Sequence, residues 1–529
     1  MATETQLPEL VQALLKPETY PHPVGKIELV QTQMSYIFLT GDYTYKVKKP
    51  VNLGYLDYTK LEQRLFFCRQ ELTLNQRLCP QTYLEVVPII RGKGNFSLGG
   101  TGKAEEYAVK MRQLPRDRTL DVLLRQDKVS PEMMQQVAAR VAEFHATAET
   151  NPKITAFGDI SLITKNTEEN FSQTELYVGR SLTEDKYKAI TDYTRGFIQK
   201  NALLFRKRQE HGKIRDCHGD LHSAHVCFAD GICIFDCIEF NDRFRYGDVA
   251  SEVSFLAMDL DFYDHQSLSR AFVDAYAEKS KDRDLLQLLD FYKCYRAYVR
   301  GKVEGFKLGD PHVPPAEKDY VLTRVRRYFD LAFSYTRPRP VLFITAGLVG
   351  TGKSTVAQAL SEKLGLEVIS SDVVRKKLAN VPATEHRFEE FESGIYSVDF
   401  TQKTYDELFR QAREFLAQRQ SVIIDASFKG KADRRKAARL AEDMGADFWA
   451  IECRGPEEVV KKRLARRLEG PSVSDGRWEV YQVQKKDFDP VLEVPESNHI
   501  VVDASKPLVE IVERIRQRVE AVKQVGGQH

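Results

Sequence analysis

The sequence predicts two domains in one chain: an α+β domain over residues 1–335, and an α/β domain over 341–529 built on a five-stranded parallel sheet. Three observations predict this. Strand-like segments crowd into the first hundred-odd residues, and a long, mainly helical region follows. From Val341 onward, short apolar runs alternate with helical segments in βα repeats. Between the two lies Thr336-Arg-Pro-Arg-Pro340, whose prolines suit an extended linker at 336–340.

Taken in order, residues 1–30 read as a short helix, Leu7–Leu15, and a proline-rich connection from Pro17 to Pro23. Ser35–Thr40, a Gly41-Asp42 turn and Tyr43–Lys49 read as a β-hairpin. A helix is expected from about Leu61 to Leu78, a strand over Thr82–Ile90, a glycine-rich turn from Arg91 to Gly102, and a strand over Glu106–Arg112. Helices are expected over Pro131–Ala148, around Glu168–Phe171 and over Thr183–Gly212. A small β-rich patch follows at Ile214–Phe240, and helices run from Ala250 to about Ser334. In the second half, strands are expected at Val341–Thr345, Leu366–Ser370, Val422–Asp425, Phe448–Cys453 and His499–Val502.

Apolar content of 42% and charged content of 29% are those of a globular protein, and a net charge of +2 excludes a global field for coating nucleic acid. The N-terminus lacks the order of a signal peptide, and no apolar run approaches the ~18 residues that span a bilayer. The eight cysteines are scattered without a C-x-x-C pair, so reduced core cysteines and a cytoplasmic location are expected.

The run Val341-Leu-Phe-Ile-Thr-Ala-Gly347-Leu-Val-Gly350-Thr351-Gly352-Lys353-Ser354-Thr355 is a strand, a glycine-rich turn and a helix start. This G-x-x-x-x-G-K-[ST] pattern lets backbone N–H groups wrap a polyphosphate, with Lys353 on the β/γ-phosphates and Ser354 on Mg²⁺. Asp372 and Arg375 follow the next strand as D-x-x-R. An aspartate there can deprotonate an acceptor hydroxyl or simply cap a helix, and the arginine can clamp phosphate. Asp425 ends an apolar strand, as a Mg²⁺-supporting Walker B carboxylate or as a turn residue. The basic stretch bearing Arg463 and Arg467, followed by the flexible Gly470–Gly476, suits either a phosphate lid or a solvated face.

On these motifs the second half, over about 340–520, resembles the P-loop kinases of small molecules and nucleic acids: gluconate-kinase-like, polynucleotide-kinase-like and zeta-toxin-like enzymes. The resemblance implies transfer of the γ-phosphoryl of ATP to a hydroxyl, with Asp372 as base.

In the first half the informative run is His218-Gly219-Asp220-Leu221-His222-Ser-Ala-His225, then Ile234-Phe-Asp236-Cys-Ile-Glu239. Phosphoryl transfer needs one carboxylate for the hydroxyl proton and another for the metal. The run resembles the aminoglycoside-phosphotransferase-like branch of the protein-kinase-like fold, whose pattern is HGDxxxxN and then a metal-binding aspartate. The resemblance implies a bilobal fold, with a small lobe over about 25–115 and a large helical lobe over 116–335. It makes Asp220 the base and Asp236 the metal ligand, and Arg245-Tyr-Gly247-Asp248-Val-Ala matches the G-D-x-A that braces this loop. Lys46 or Lys48, on one face of the second hairpin strand, would bind phosphate, with Lys46 favoured. Glu71 is the preferred helix partner, ahead of Glu62, and Ala108–Leu114 would be the adenine hinge. One position departs from the pattern: His225 stands where the family keeps a metal-binding asparagine. Imidazole suits Mg²⁺ poorly, so His225 either acts through water or with Mn²⁺, or the module transfers phosphate slowly or not at all.

As a whole, the chain resembles bacterial fusions of these two kinase types. The resemblance implies a bifunctional, ATP- and Mg²⁺-dependent phosphotransferase acting on small hydroxylated molecules, sugars or aminoglycoside-like compounds. Two alternatives remain open: a nucleic-acid 5′-hydroxyl kinase in the P-loop half, or a module that only binds nucleotide. The basic helices Arg434–Arg439 and Lys461–Arg467 permit a nucleic-acid partner, but no aromatic stacking platform accompanies them.

Overall fold

Two hairpin strands organise the small lobe. In the computed structural model, β1 (Glu28–Gln31), β2 (Ser35–Leu39) and β3 (Tyr43–Lys48) run antiparallel, with Ile37 opposite Lys46 and Ser35 opposite Lys48. β4 (Tyr83–Arg91), β5 (Phe96–Leu98) and β6 (Ala104–Arg112) complete a six-stranded antiparallel sheet in the order β1-β2-β3-β6-β4-β5. The structure describes residues 7–92, 95–309, 313–382, 394–467 and 477–525. The chain divides into two units, Met1–Thr336 and Arg337–His529.

The hairpin turn is fixed by its sequence: Gly41 takes φ +98°, and the Thr40 hydroxyl donates to the Tyr43 carbonyl at 2.8 Å. The Leu61–Gln76 helix is pinned to the sheet by Arg64, whose Nε donates to Glu106 of β6 at 2.7 Å. Both β1 and β5 are absent from the sequence reading. β1 is a four-residue edge strand just after the proline-rich connection, and β5 lies in the glycine-rich stretch read as a turn.

The large lobe buries two adjoining clusters, one around Leu256, Phe272 and Leu288, the other around Met258, Tyr298 and Phe329. The helix expected over Thr183–Gly212 is two, Glu184–Lys200 and Ala202–Glu210. Asn201 makes the break, and its side-chain amide donates back to the Phe197 carbonyl at 2.9 Å. Three short elements carry the candidate site: β7 (Ile214–Asp216), β8 (Val226–Ala229) and β9 (Gly231–Ile234). β8 pairs with β9, and β7 pairs with β10 (Tyr246–Asp248).

One expectation fails. Cys79, just past the Leu61–Gln76 helix, is disulfide-bonded to Cys233 on β9. The partners are 154 residues apart, so only the folded topology brings them together. Cys217, Cys227 and Cys237 are free and buried, as expected.

In the second unit, β11 (Val341–Ala346), β12 (Glu367–Ser370), β13 (Val422–Asp425), β14 (Asp447–Arg454) and β15 (His499–Asp503) form the expected parallel sheet, in the order β12-β13-β11-β14-β15. β11, at its centre, is buried at all six positions. Separate apolar cores cover the two faces, one around Leu342, Ile424 and Leu408, the other around Phe343, Trp449 and Ile515. That is why these strands read as continuous apolar runs rather than alternating ones.

Candidate active sites

The two lysines of β3 differ in their partners. Lys46 Nζ lies 2.9 Å from Glu71 Oε1 and 2.6 Å from Asp236 Oδ1. Lys48, two residues on and so on the same face, is fully buried, 2.7 Å from Glu71 Oε2 and paired also with Glu239. Tyr58 donates its hydroxyl to Glu239 at 2.7 Å. Glu71 therefore spans both lysines. Lys46 is the one that reaches the metal-type aspartate, and Lys48 sits behind it as a buried counter-charge. Glu62 is exposed on the first turn of the same helix.

The HGD loop is held from three sides. Gly219 takes φ +88°, and a Cβ there would stand 2.8 Å from the Phe244 carbonyl oxygen, so only glycine fits. Glu252 accepts the backbone N–H of His218 at 3.0 Å and of Gly219 at 2.6 Å, and the imidazole of His145 at 2.8 Å. The Ser223 N–H donates to Asp259 at 2.9 Å. Asp248 of the G-D-x-A stretch caps the Val249–Phe262 helix, which carries Glu252 and Asp259, and is itself gripped by Arg208.

Four side chains converge inside this frame. Asp220 Oδ2 lies 3.5 Å from His222 Nε2 and 3.5 Å from His225 Nδ1; His225 Nε2 lies 3.5 Å from Asp236 Oδ2. Burial works against a charged Asp220, but His222, His225 and Arg300 hold its pKa well below the usual carboxylate range. Burial likewise opposes the charge on Asp236, and Lys46 with His225 keeps its pKa low. Burial and the neighbouring His222 push His225 down to about 4. Asp236 also adopts φ +63°, a left-handed conformation that costs a non-glycine residue about 1–2 kcal/mol.

Glu252 gives a pH prediction. Burial opposes its charge, yet the hydrogen bond from His145 brings its pKa down to about 2, below the roughly 4.3 of an unfolded glutamate. The stability this contributes, roughly 3 kcal/mol, is fully present above pH ~4.3 and is lost as pH falls toward 2. Acid titration of unfolding by circular dichroism will show this loss, and Glu252→Gln will flatten it.

In the second unit, Gly347 takes φ +135°, and a Cβ there would stand 2.5 Å from the Cys453 carbonyl oxygen. Gly350 and Gly352 also have positive φ. Thr351 is buried and donates to the Leu348 carbonyl at 2.7 Å, while Ser354 and Thr355 are exposed at the start of the Lys353–Leu364 helix. Lys353 Nζ donates to the Leu348 carbonyl at 2.9 Å, inside its own loop. Asp425 is buried at the end of β13 and accepts the Thr345 hydroxyl at 3.1 Å. In register it faces Ser370, the residue before the Ser371–Leu378 helix that carries Asp372 and Arg375. Arg375 Nη1 donates to the Ile395 carbonyl at 2.6 Å and to Thr401 at 3.1 Å. Arg463 donates to the Ala504 carbonyl at 2.7 Å, and a Cβ on Gly352 would lie 3.2 Å from its Nη1. The side chain of Arg467 and the Gly470–Gly476 loop lie outside the described residues.

The sequence over residues 69–289 matches the phosphotransferase enzyme family, and residues 342–491 match an AAA domain family. Over 456 residues the chain is 31% identical to uncharacterized proteins of Mycobacterium tuberculosis H37Rv and Mycobacterium bovis, covering 85% of this chain and 89% of each relative. It belongs to their family. This chain joins an aminoglycoside-phosphotransferase-like domain to a P-loop kinase domain. Among solved structures, the chain is similar to a gluconokinase from Sinorhizobium meliloti at 24% identity, covering 36% of this chain and 97% of that one with a TM-score of 0.25. It is also similar to the APS kinase of M. tuberculosis in complex with AMPPNP and APS, at 19% identity, covering 35% and 99% with a TM-score of 0.25. No helix among the described residues of this fusion protein is long and apolar enough to cross a membrane.

Kinase domains of both types imply ATP and a divalent metal. In the P-loop unit the donors suit Mg²⁺: the Ser354 hydroxyl and the Asp425 carboxylate are hard oxygens. In the phosphotransferase-like unit the fit is poor. The ligand atoms of Asp220, His222 and His225 all lie within 4.8 Å of one another, and two of these three residues offer imidazole nitrogen. The sequence reading gives no role to Glu252, Asp259 and Glu239, which hold the loop and the lysines, or to His222, which faces Asp220. The doubled histidine of the H-G-D-L-H run was the available signal for His222; nothing local marks the other three.

Proposed function

We propose that both units of this fusion protein are ATP-dependent phosphotransferases, each transferring the γ-phosphoryl group to a hydroxyl of a small molecule such as a sugar or an aminoglycoside-like compound. The observation that carries this reading is the linked set Glu71–Lys46–Asp236–His225–Asp220 in the first unit, a phosphate-type lysine and two carboxylates within successive contacts.

In the first unit Lys46, oriented by Glu71, takes the nucleotide phosphates. Asp220, its side chain 33% exposed, receives the acceptor proton as the new O–P bond forms and the bond from Pγ to the ADP oxygen breaks. Its low pKa means that it is ionised at neutral pH and takes the proton late, when the hydroxyl has become acidic through bonding to phosphorus. In the second unit, Lys353 exchanges its hydrogen bond to the Leu348 carbonyl for phosphate oxygens, and the N–H groups of the 347–355 turn line the polyphosphate. Asp372 is the base of that unit, and Arg375 and Arg463 neutralise the transferring phosphates. Ser354 and Asp425 would hold Mg²⁺, which would supply positive charge against the phosphates during transfer.

The test is transfer from labelled ATP to a panel of sugars, aminoglycosides, nucleosides and 5′-hydroxyl oligonucleotides. Each labelled acceptor should be lost with Asp220→Asn or with Lys353→Ala, and different acceptors with each. Labelling of no acceptor, with ATP hydrolysis alone, would overturn the reading.

A further inference from the structure

The catalytic loop of the first unit holds two acceptor atoms facing each other with no proton between them. His225 Nδ1 lies 2.9 Å from the Asp220 carbonyl oxygen. A carbonyl can only accept, so Nδ1 carries the hydrogen and Nε2 presents a lone pair. Nε2 lies 3.5 Å from Asp236 Oδ2, longer than a hydrogen bond between such groups. The same unit shows what a hydrogen-bonded histidine–carboxylate pair looks like: His145 Nε2 stands 2.8 Å from Glu252 Oε2. Asp236 keeps Oδ2 free for another partner because Lys46 occupies Oδ1 at 2.6 Å. Two donors on one metal ion, with bonds of about 2.1 Å, stand roughly 3–3.5 Å apart. A histidine whose other nitrogen is fixed by a backbone carbonyl is the usual arrangement of a metal-ligating imidazole.

We propose that His225 Nε2 and Asp236 Oδ2 form a site for a borderline divalent ion of the Mn²⁺ or Zn²⁺ class, in preference to Mg²⁺. Asp220 and His222 lie beside this pair: Asp220 Oδ2 is 3.5 Å from His222 Nε2 and 3.5 Å from the Nδ1 of His225. Imidazole nitrogen binds such ions well and Mg²⁺ poorly, because Mg²⁺ holds to hard oxygen and sheds water reluctantly. The asparagine-to-histidine departure is then a change of metal rather than a loss of function. The inference rests on the reading of this loop as a phosphotransfer site for its purpose, but not for its chemistry.

The experiment uses the full chain with Mn²⁺ as probe. Pulsed EPR of the Mn²⁺-loaded protein should show coupling to an imidazole ¹⁴N nucleus, and His225→Asn should abolish it. Calorimetry without nucleotide should give at least tenfold tighter binding of Mn²⁺ than of Mg²⁺ at this site, with the ratio collapsing toward one in His225→Asn. His225→Gln serves as a second variant, and circular dichroism checks the fold of both. Absence of nitrogen coupling in the wild type, or a Mn²⁺ to Mg²⁺ ratio unchanged by either substitution, overturns the proposal. If coupling is absent while Asp220-dependent transfer proceeds with Mg²⁺, the phosphotransfer reading stands and this inference falls. If coupling is present and no acceptor is labelled, the metal site stands and the phosphotransfer reading falls.

Discussion

Asp220→Asn will lower phosphoryl transfer by the first unit by roughly 10²–10⁴-fold, the share that a positioned general base contributes. The measurement is labelled-phosphate transfer in a Lys353→Ala background, which silences the P-loop unit. Asparagine keeps the size and one acceptor oxygen of aspartate, and the loop around it is fixed by other residues: Glu252 on the His218 and Gly219 amides, and Asp259 on Ser223. The substitution therefore removes the proton acceptor without removing the frame. Affinity for ATP at this site should change little, because Lys46 is oriented by Glu71 and Asp236 rather than by Asp220. A loss smaller than tenfold would mean that another group takes the proton, and His222, 3.5 Å from the Asp220 carboxylate, would be the first to examine.

Arg208→Ala will destabilise the first unit by about 3–5 kcal/mol, the cost of leaving buried carboxylates without their partner. Arg208 is 1% exposed and grips two aspartates at once: Asp248 at 2.6 and 2.7 Å, and Asp282 at 2.9 and 3.1 Å. Asp248 in turn caps the helix from which Glu252 and Asp259 hold the HGD loop, so the damage reaches the candidate site. The two tryptophans of the chain, Trp449 and Trp478, both belong to the second unit. Urea unfolding followed by circular dichroism should show the first unit's transition moving to lower denaturant, while the tryptophan-fluorescence transition stays in place. A shift below 1 kcal/mol would show that the aspartates find other partners or water.

Much of this was legible in the sequence, for identifiable reasons. The parallel sheet is buried on both faces, so its strands appear as short apolar runs alternating with helical segments. The glycines of 347–352 and Gly219 sit where backbone or side chains leave no space for a Cβ or where φ is positive, so the chemistry is written in residue type. Alternation placed Lys46 and Lys48 on one face, with Lys46 favoured; what sets the two apart in the fold is that Lys46 touches Asp236, a contact across 190 residues of chain. Glu239, Glu252 and the Cys79–Cys233 bond were invisible for the same reason, since each acts through a partner distant in sequence. β1 and β5 were missed because short edge strands carry too few side chains to establish a period. His225 was legible as a departure, but its meaning depends on the hydrogen bond that fixes its ring.

The central claim is that one chain holds two working nucleotide sites. Nucleotide stoichiometry by calorimetry, with a non-hydrolysable ATP analogue and divalent metal, tests it most directly. The account predicts two nucleotides per chain in the wild type, one in Lys46→Ala, one in Lys353→Ala and none in the double variant. One nucleotide per wild-type chain, unaffected by Lys46→Ala, would contradict it.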